Sequence, residues 1–502
     1  MTKEIFMTTQ DIKKALGNEL CDIRCGKSDS FDSLCYDSRK ATSASCFVCL
    51  KGALADGHAY IDKAVASGAC VIVASDRNAY ENKCKEYPDV TFVLVKDTRK
   101  ALALISADFF ENPAKNLFVI GITGTKGKTS TTFMTKEILQ NHGYSVGIIG
   151  TTGIYYGDKY EYIDNSTPES YELHRIFADM VKSGVTHVLM EVSSQALMMH
   201  RTYGITFDIA VFTNISPDHI GENEHANFEE YLSCKGILFT QAKAAIINAD
   251  ADRIDFIKNI IAENGICATT YSTRHKEADL FGENITFEIT DCLSTSFDLR
   301  GYGRIHLLTP GEFSVSNALC SAAIAMKVGA CFEDVKTSLA KIHVFGRVEP
   351  VKHEKCDFAV IIDYAHNALS LESLFGSVKN YNPKRIITVF GCGGNRSKLR
   401  RYDMGEISGK YSDLSVITSD NPRTEKVENI INDILVGMHK TDGKYEIVPD
   451  RRDAIHHALS VAKKGDIVLI VGKGNQLYEE IGHEKIPFDE REVVKEYFDG
   501  LR

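Results

Sequence analysis

Val119 to Thr132 read VIGITGTKGKTSTT, an apolar run followed by a glycine-rich turn and a helix-compatible stretch that opens on Lys128-Thr129. A buried strand feeding a helix through such a turn is a phosphate loop, and it places the chain among the α/β proteins. Glycines let backbone N–H groups approach phosphate oxygens, the lysine supplies a point charge, and the adjoining hydroxyl reaches a magnesium ion. Gly124, Thr125, Lys126, Gly127, Lys128, Thr129 and Ser130 are therefore expected to hold ATP, with Thr129 on Mg2+. The general pattern asks for a glycine where this chain has Ile122; its own glycines fall at Gly121, Gly124 and Gly127. A glycine-rich turn that binds nothing is the alternative, and spaced glycines followed by Lys-Thr argue against it.

Around this loop, the strands THVLMEV, FDIAVFTNI and AAIIN alternate with helical patterns, which predicts a central parallel sheet with crossover helices. Before it, the short apolar runs CFVCL, ACVIVAS and TFVLVKD with a helix around Ile61 to Ser67 predict a small α/β domain. Glu111-Asn112-Pro113 marks a break, and a further unit begins after Gly346-Arg347. We expect three domains, 1–112, 113–345 and 346–502, the last a doubly wound, Rossmann-like sheet of the strands FAVIID, RIITVFG, LSVITSD and DIVLIVG. Their ends are Asp363-Tyr364-Ala365-His366, Gly391-Cys392-Gly393-Gly394, Asp420-Asn421-Pro422-Arg423 and Gly472-Lys473-Gly474. Ligands of open α/β sheets bind at such carboxyl ends. Arg396 stands where G-x-G-x-x-G would need its last glycine, so a dinucleotide is not expected.

Composition excludes several classes of function. At 502 residues and 44% hydrophobic the chain is globular and exceeds a single core. A net charge of −10 argues against nucleic-acid partners, whose binding depends on neutralising phosphates. No run approaches the roughly eighteen apolar residues of a membrane span, so we expect a soluble, cytoplasmic chain, a monomer, that acts on small molecules. The 14 cysteines scatter without paired spacing, and Cys46 and Cys49, if on a strand, face opposite sides and cannot share a metal.

Two strands of the middle segment end in polar residues beside the loop, Glu191 in MEVSS and His219 in TNISPDH; both are candidate ligands for a cation that shares the triphosphate. Lys235 falls in the middle of the helical apolar stripe of Phe228, Tyr231, Leu232, Leu238, Phe239 and Ala242. Burial there would leave a neutral amine able to take up CO2 as a carbamate, a negative group that serves as a Mg2+ ligand. A lysine snorkelling from the edge of the stripe is the other reading.

The set GTKGKTS, STPES, EVSSQAL with Arg201, TNISPDH, Y-x-x-x-K-x-x-L-F, DYAH, GCGGNR, DNPR and GKGNQ resembles the Mur ligases, in the same order. The resemblance covers essentially the whole chain, including the N-terminal YDSRKATSASCFVCLKGALADGHAYI, and the loop form also resembles that of folylpolyglutamate synthetase. It is strongest to the family members that add the third residue of the peptidoglycan peptide. It implies that Ser38 lies near the uridine diphosphate, that Asn165, Ser166, Thr167, Ser193 and Arg201 hold the muramoyl dipeptide, and that Asn317, Arg347 and Asp363 join the loop around ATP. Lys235 matches the family's modified lysine. Such a ligase phosphorylates a substrate carboxylate and lets an amine attack the acyl phosphate, so no protein nucleophile is needed. Lys128 and Mg2+ neutralise charge, and His366 is either an electrostatic helper or a packed strand-end histidine.

In the family, D-N-P-R goes with meso-diaminopimelate, because arginine grips its distal carboxylate bidentately. Arg423 is therefore expected to read the acceptor, with Arg396, Asp420, Asn421, Pro422, Gly472 and Gln476 alongside. Gln476 stands where diaminopimelate enzymes usually carry glutamate, and Gln195 where many members have histidine. L-Lysine or another diamino acid is the alternative acceptor. A folylpolyglutamate-type ligase would need neither the N-terminal segment nor D-N-P-R, and a non-catalytic nucleotide binder would not need Lys128, Glu191, His219 and Lys235 together.

Overall fold

The computed structural model describes residues 6–28, 30–52, 55–218, 220–221, 224–289, 293–342 and 344–500. It separates into two compact units, residues 1–270 and 271–502. Besides the short pair Met7–Thr8 and Ser30–Phe31, the first unit contains two larger sheets. One has the order Leu20–Arg24, Thr91–Val95, Ala69–Ala74, Ser45–Val48, Ser33–Cys35, parallel except for its first strand. Its inner strands Ser45–Val48, Ala69–Ala74 and Thr91–Val95 are almost wholly buried because both faces are covered, as parallel sheets require, whereas the antiparallel edge strand Leu20–Arg24 is largely exposed. Cys46 belongs to one core cluster and Cys49 to the other, and every described cysteine is a free thiol.

The second sheet is built around Phe118–Thr123, which pairs in parallel with His187–Glu191 on one side and Ile209–Phe212 on the other. Val146–Gly150 and Ala244–Asn248 extend it, also in parallel. Gly121 lies mid-strand, where a Cβ would stand 2.7 Å from the Phe207 ring, so this glycine serves helix-to-sheet packing and only Gly124 and Gly127 shape the loop. An antiparallel extension, Gly153–Tyr156 and Lys159–Glu161, adds to the sheet edge.

The second unit opens on an antiparallel meander, Leu280–Ile289, Leu293–Leu299 and Gly303–Leu307. This differs from the parallel sheet expected across 113–345: Tyr271 and Ser272 still pair in parallel with Leu280 and Phe281, and only the later pairs are antiparallel. In Gly303–Leu307 buried and exposed residues alternate, the pattern of an antiparallel sheet with one wet face. A six-stranded sheet follows in the order Glu349–Val351, Ala359–Asp363, Ile467–Val471, Ile386–Phe390, Leu414–Ile417, Tyr445–Ile447. All pairs are parallel except the first. The helices Ala368–Lys379, Lys398–Tyr411 and Val427–Met438 cover one face; Arg451–Val461 and Glu490–Gly500 cover the other. This order sets the carboxyl ends of the four strands named in the sequence side by side. Among the described residues no helix is long and apolar enough to cross a membrane.

Candidate active site

The phosphate loop bridges the end of Phe118–Thr123 and the start of the helix Lys128–Asn141. Gly124 and Gly127 have φ of 148° and 83°, conformations costly for other residues, and a Cβ on Gly124 would collide with Thr213 Oγ1. The neighbouring strand end holds the loop in shape. Asn214 O accepts from Thr125 N (3.0 Å), Asn214 Oδ1 accepts from Lys126 N (2.8 Å), and Thr213 Oγ1 donates to Lys126 O (2.7 Å). Lys128 Nζ curls back to donate to Gly124 O (2.7 Å) and Thr125 O (3.1 Å).

Glu191 ends the adjacent strand with its carboxylate turned to the loop. Oε1 accepts from Thr129 Oγ1 (2.9 Å) and Thr151 N (3.2 Å), and Oε2 accepts from Thr151 Oγ1 (2.9 Å). Thr151 Oγ1 spends its proton on Glu191, so Ser166 Oγ, at 2.8 Å, donates to Thr151. Hard oxygen donors from Thr129 and Glu191 thus meet at the helix start, where a magnesium ion also bound by phosphate oxygens needs only one or two protein ligands. His219 lies outside the described residues.

Lys235 sits on the helix Phe228–Gly236 and is only 2% exposed, which excludes snorkelling. Its Nζ donates to Gly124 O (3.0 Å) and stands 4.3 Å from the centre of the Tyr231 ring. Burial first, and then the Lys128 charge, push its amine well below the usual lysine range. Tyr231 in turn pairs its hydroxyl with Thr125 Oγ1 (3.0 Å), tying this helix to the loop.

Three of the five residues expected around the dipeptide share one cluster: Thr167 Oγ1 donates to Glu191 O (3.0 Å), Ser193 N donates to Thr167 Oγ1 (3.1 Å), and Arg201 Nη1 donates to Thr167 O (2.9 Å). Ser166 joins through Thr151, whereas Asn165 and Ser38 make no contact with the cluster among the described residues. Ser38 begins a short turn capped by Asp37. Glu169 stands between Arg201 (3.5 Å) and Arg99 (3.2 Å).

In the second unit, Arg396, Asp420, Asn421, Arg423, Gly472 and Gln476 line a single cleft of about 140 Å3, together with Tyr364 and His366. Pro422 is not among the lining residues; its carbonyl lies where a Cβ on Gly394 would go. Asn421 is the hub: its Nδ2 donates to Gln476 Oε1 (2.8 Å) and its Oδ1 accepts from Lys473 Nζ (2.8 Å) and Glu480 N (2.9 Å). Behind the cleft, buried Arg451 pairs with Glu490 and donates to Ser419 O (2.9 Å) and Val471 O (2.8 Å), clamping two strand ends together. Burial lowers the affinity of His366 for a proton, and its Nδ1 lies 3.0 Å from Tyr364 O. Asp363 uses both oxygens on backbone, accepting from Val348 N and Ala365 N at 2.7 Å each. Arg347 stacks its guanidinium 4.5 Å from the centre of the Tyr364 ring, and Asn317 is buried on the helix Glu312–Val328.

Family models match three stretches of the chain: the Mur ligase family catalytic domain at 30–110, the Mur ligase middle domain at 122–325, and the Mur ligase glutamate ligase domain at 346–474. The chain is 42% identical over 496 residues to UDP-N-acetylmuramoyl-L-alanyl-D-glutamate--2,6-diaminopimelate ligase 1 of Clostridium acetobutylicum, covering 98% of this chain and 99% of that one. The chain belongs to the Mur ligase family. A second relative of this Mur ligase, the 2,6-diaminopimelate ligase of Caldanaerobacter subterraneus, is 41% identical, with 98% of each chain covered. A solved 2,6-diaminopimelate ligase structure superposes with a TM-score of 0.70 at 25% identity, over 98% of this chain and 99% of the other. A folylpolyglutamate synthase of Mycobacterium tuberculosis shares the fold at a TM-score of 0.60 but covers 75% of this chain. The Mur ligase is accordingly an α/β, three-domain, ATP-dependent ligase.

Several residues that build this Mur ligase's sites carry little signal in the sequence. Thr151 is a polar residue directly after a buried strand, and that position is its only mark; Thr213 and Asn214 open TNISPDH, but nothing in that motif shows that they brace the phosphate loop. Arg451 and Glu480 act through partners far away in the chain, and no local pattern announces them; Glu169 lies within STPES, but its pairing with Arg99 and Arg201 is not legible there.

Proposed function

We propose that this Mur ligase joins meso-2,6-diaminopimelate to UDP-N-acetylmuramoyl-L-alanyl-D-glutamate at the expense of ATP, a cytoplasmic step of peptidoglycan precursor synthesis carried out by a monomer. The observation that carries the acceptor reading is the cleft in which Arg423 stands with Arg396, Asp420, Asn421, Gly472 and Gln476. The relatives named for diaminopimelate ligation support the rest. In this reading residues 1–112 take the uridine diphosphate near Ser38, residues 113–345 take ATP and the dipeptide, and residues 346–502 take the amino acid.

The nucleotide is assigned to Gly124 through Ser130, with Asn317, Arg347 and Asp363, and the dipeptide to Asn165, Ser166, Thr167, Ser193 and Arg201. Thr129, Glu191, His219 and a carbamate on Lys235 would hold Mg2+, which when bound offsets the negative charge of the phosphates. The γ-phosphoryl group passes to the glutamate carboxylate, and the amine of the acceptor attacks the acyl phosphate through a tetrahedral intermediate that expels inorganic phosphate. Lys128 supplies fixed positive charge at the transferred group, and the glycine turn supplies backbone N–H donors. His366, kept neutral by burial, lines the acceptor cleft as a polar helper.

Phosphate release from ATP should require both the UDP-dipeptide and an amino acid. Offered meso-diaminopimelate, its LL isomer, L-lysine and L-ornithine, the enzyme should prefer the first; absence of any new amide would remove the reading. Arg423→Ala should cut kcat/KM for meso-diaminopimelate about 10- to 100-fold, the value of a charge-assisted pair, and leave L-lysine little changed. An unchanged ratio would show that Arg423 does not read the distal carboxylate. Thr151→Val removes a hydroxyl that holds Glu191, and loss of a hydrogen bond that orients a metal-binding carboxylate costs about 10-fold or more in metal affinity. The Mg2+ concentration for half-maximal phosphate release should rise accordingly, with Thr151→Ser restoring it.

A further inference from the structure

Arg423 follows the strand Leu414–Ile417 with φ of 50°, a left-handed conformation that arginine rarely adopts. A two-stranded hairpin, Tyr478–Ile481 and Glu484–Pro487, holds it there from both sides. Arg423 N donates to Glu480 O (2.9 Å) and Gly482 N donates to Arg423 O (2.8 Å). The side chain is fixed by the same hairpin. Nε donates to Glu480 Oε2 (2.9 Å), and Nη1 donates to Gly394 O (2.7 Å). Nη2 has no protein acceptor among the described residues, and the side chain lines the cleft beside Asn421 and Gln476. Both members of the Arg423–Glu480 pair keep about a quarter of their side-chain surface exposed, so a ligand can reach the guanidinium.

We propose that Glu480 is the positioning residue that sets acceptor selectivity, by taking Nε of Arg423 and thereby orienting the remaining N–H groups toward the carboxylate at the far end of the incoming amino acid. The inference rests on the acceptor reading given above. A guanidinium recognises carboxylate through parallel N–H groups in a rigid fork, so its orientation decides whether two hydrogen bonds form or one. An arginine free to rotate would have to be ordered at each binding event, which weakens capture. The Gln476 side-chain oxygen accepts from Asn421, whereas the side-chain N–H groups of Arg423 go to Glu480 and to Gly394 O. The negative charge of Glu480 would by itself oppose an incoming carboxylate, so orientation and charge make opposite predictions.

Wild-type turnover on the four-acceptor panel is read first. If meso-diaminopimelate is not used, the acceptor reading fails on its own, and the variants are then compared on whichever carboxylate-bearing acceptor turns over. Glu480→Ala should raise KM for that acceptor about tenfold, shift kcat much less, and lower the preference over L-lysine by a similar factor. Glu480→Gln keeps an oxygen that accepts from Nε and should recover most of the affinity. A lower KM in both variants would show that charge dominates and would overturn the proposal, as would an unchanged KM and unchanged preference in Glu480→Ala. Should the alanine variant not fold, Glu480→Asp, one methylene too short for the 2.9 Å contact, must show the raised KM instead.

Discussion

Lys235→Ala should abolish ligation, with kcat falling by about three orders of magnitude or more, and added bicarbonate or a short carboxylate such as acetate should restore part of it. The expectation starts from burial. An ammonium enclosed at 2% exposure and within the field of Lys128 favours its neutral form. The ammonium first gives up one proton to become the neutral amine; the nitrogen lone pair then forms the N–C bond to CO2 and a second proton leaves, so a group that was positive becomes negative. That reversal relieves the repulsion from Lys128 and creates an oxygen ligand near the loop carbonyl to which Nζ now donates. Alanine leaves room for a small carboxylate to stand in the same place, which is why rescue should be partial and should saturate. Losing one preorganised charge in a site of this kind costs about 100- to 1,000-fold in rate, and loss of the metal with it adds to that. Full turnover by the alanine variant without additive would remove the carbamate.

Lys128→Met should lower kcat by about 100- to 1,000-fold while ADP affinity, followed by calorimetry, weakens much less. The Lys128 ammonium ties Gly124 O and Thr125 O together, which places its charge against the glycine turn. Phosphoryl transfer involves little covalent work by the protein, so a missing positive charge falls on the transition state more than on the bound nucleotide. Backbone N–H groups and Thr129 remain in the methionine variant and sustain binding. Lys128→Arg should not restore the rate, because a planar guanidinium cannot sit on two loop carbonyls as a compact point charge. Equal losses in kcat and in ADP affinity would show that Lys128 acts only in binding.

The fold was legible wherever one face or both faces of an element were filled by contiguous apolar residues. FAVIID, RIITVFG, LSVITSD and DIVLIVG are strands because a parallel sheet covered on both sides asks for uninterrupted apolar runs. The meander over 280–307 carries no such signal, because its strands alternate polar with apolar residues and resemble loops in composition. Lys235 stood out as a charge in an apolar stripe, yet periodicity alone left burial and snorkelling open; packing by Tyr231 and the contact with Gly124 decided for burial. The acceptor residues were legible as strand-end motifs, but nothing local showed that Arg423 is set by Glu480.

Sequence by itself determined the phosphate loop and the identity of the strands, because close backbone approach to phosphate and two-faced burial depend on neighbours within a few residues of one another. Tertiary structure alone decided which side chains meet: Thr129 with Glu191 across 62 residues, Lys235 with Gly124 across 111, Arg423 with Glu480 across 57. Those pairings follow from the order of strands in each sheet, and strand order is settled by how whole layers bury their surface, a property no short stretch of chain possesses.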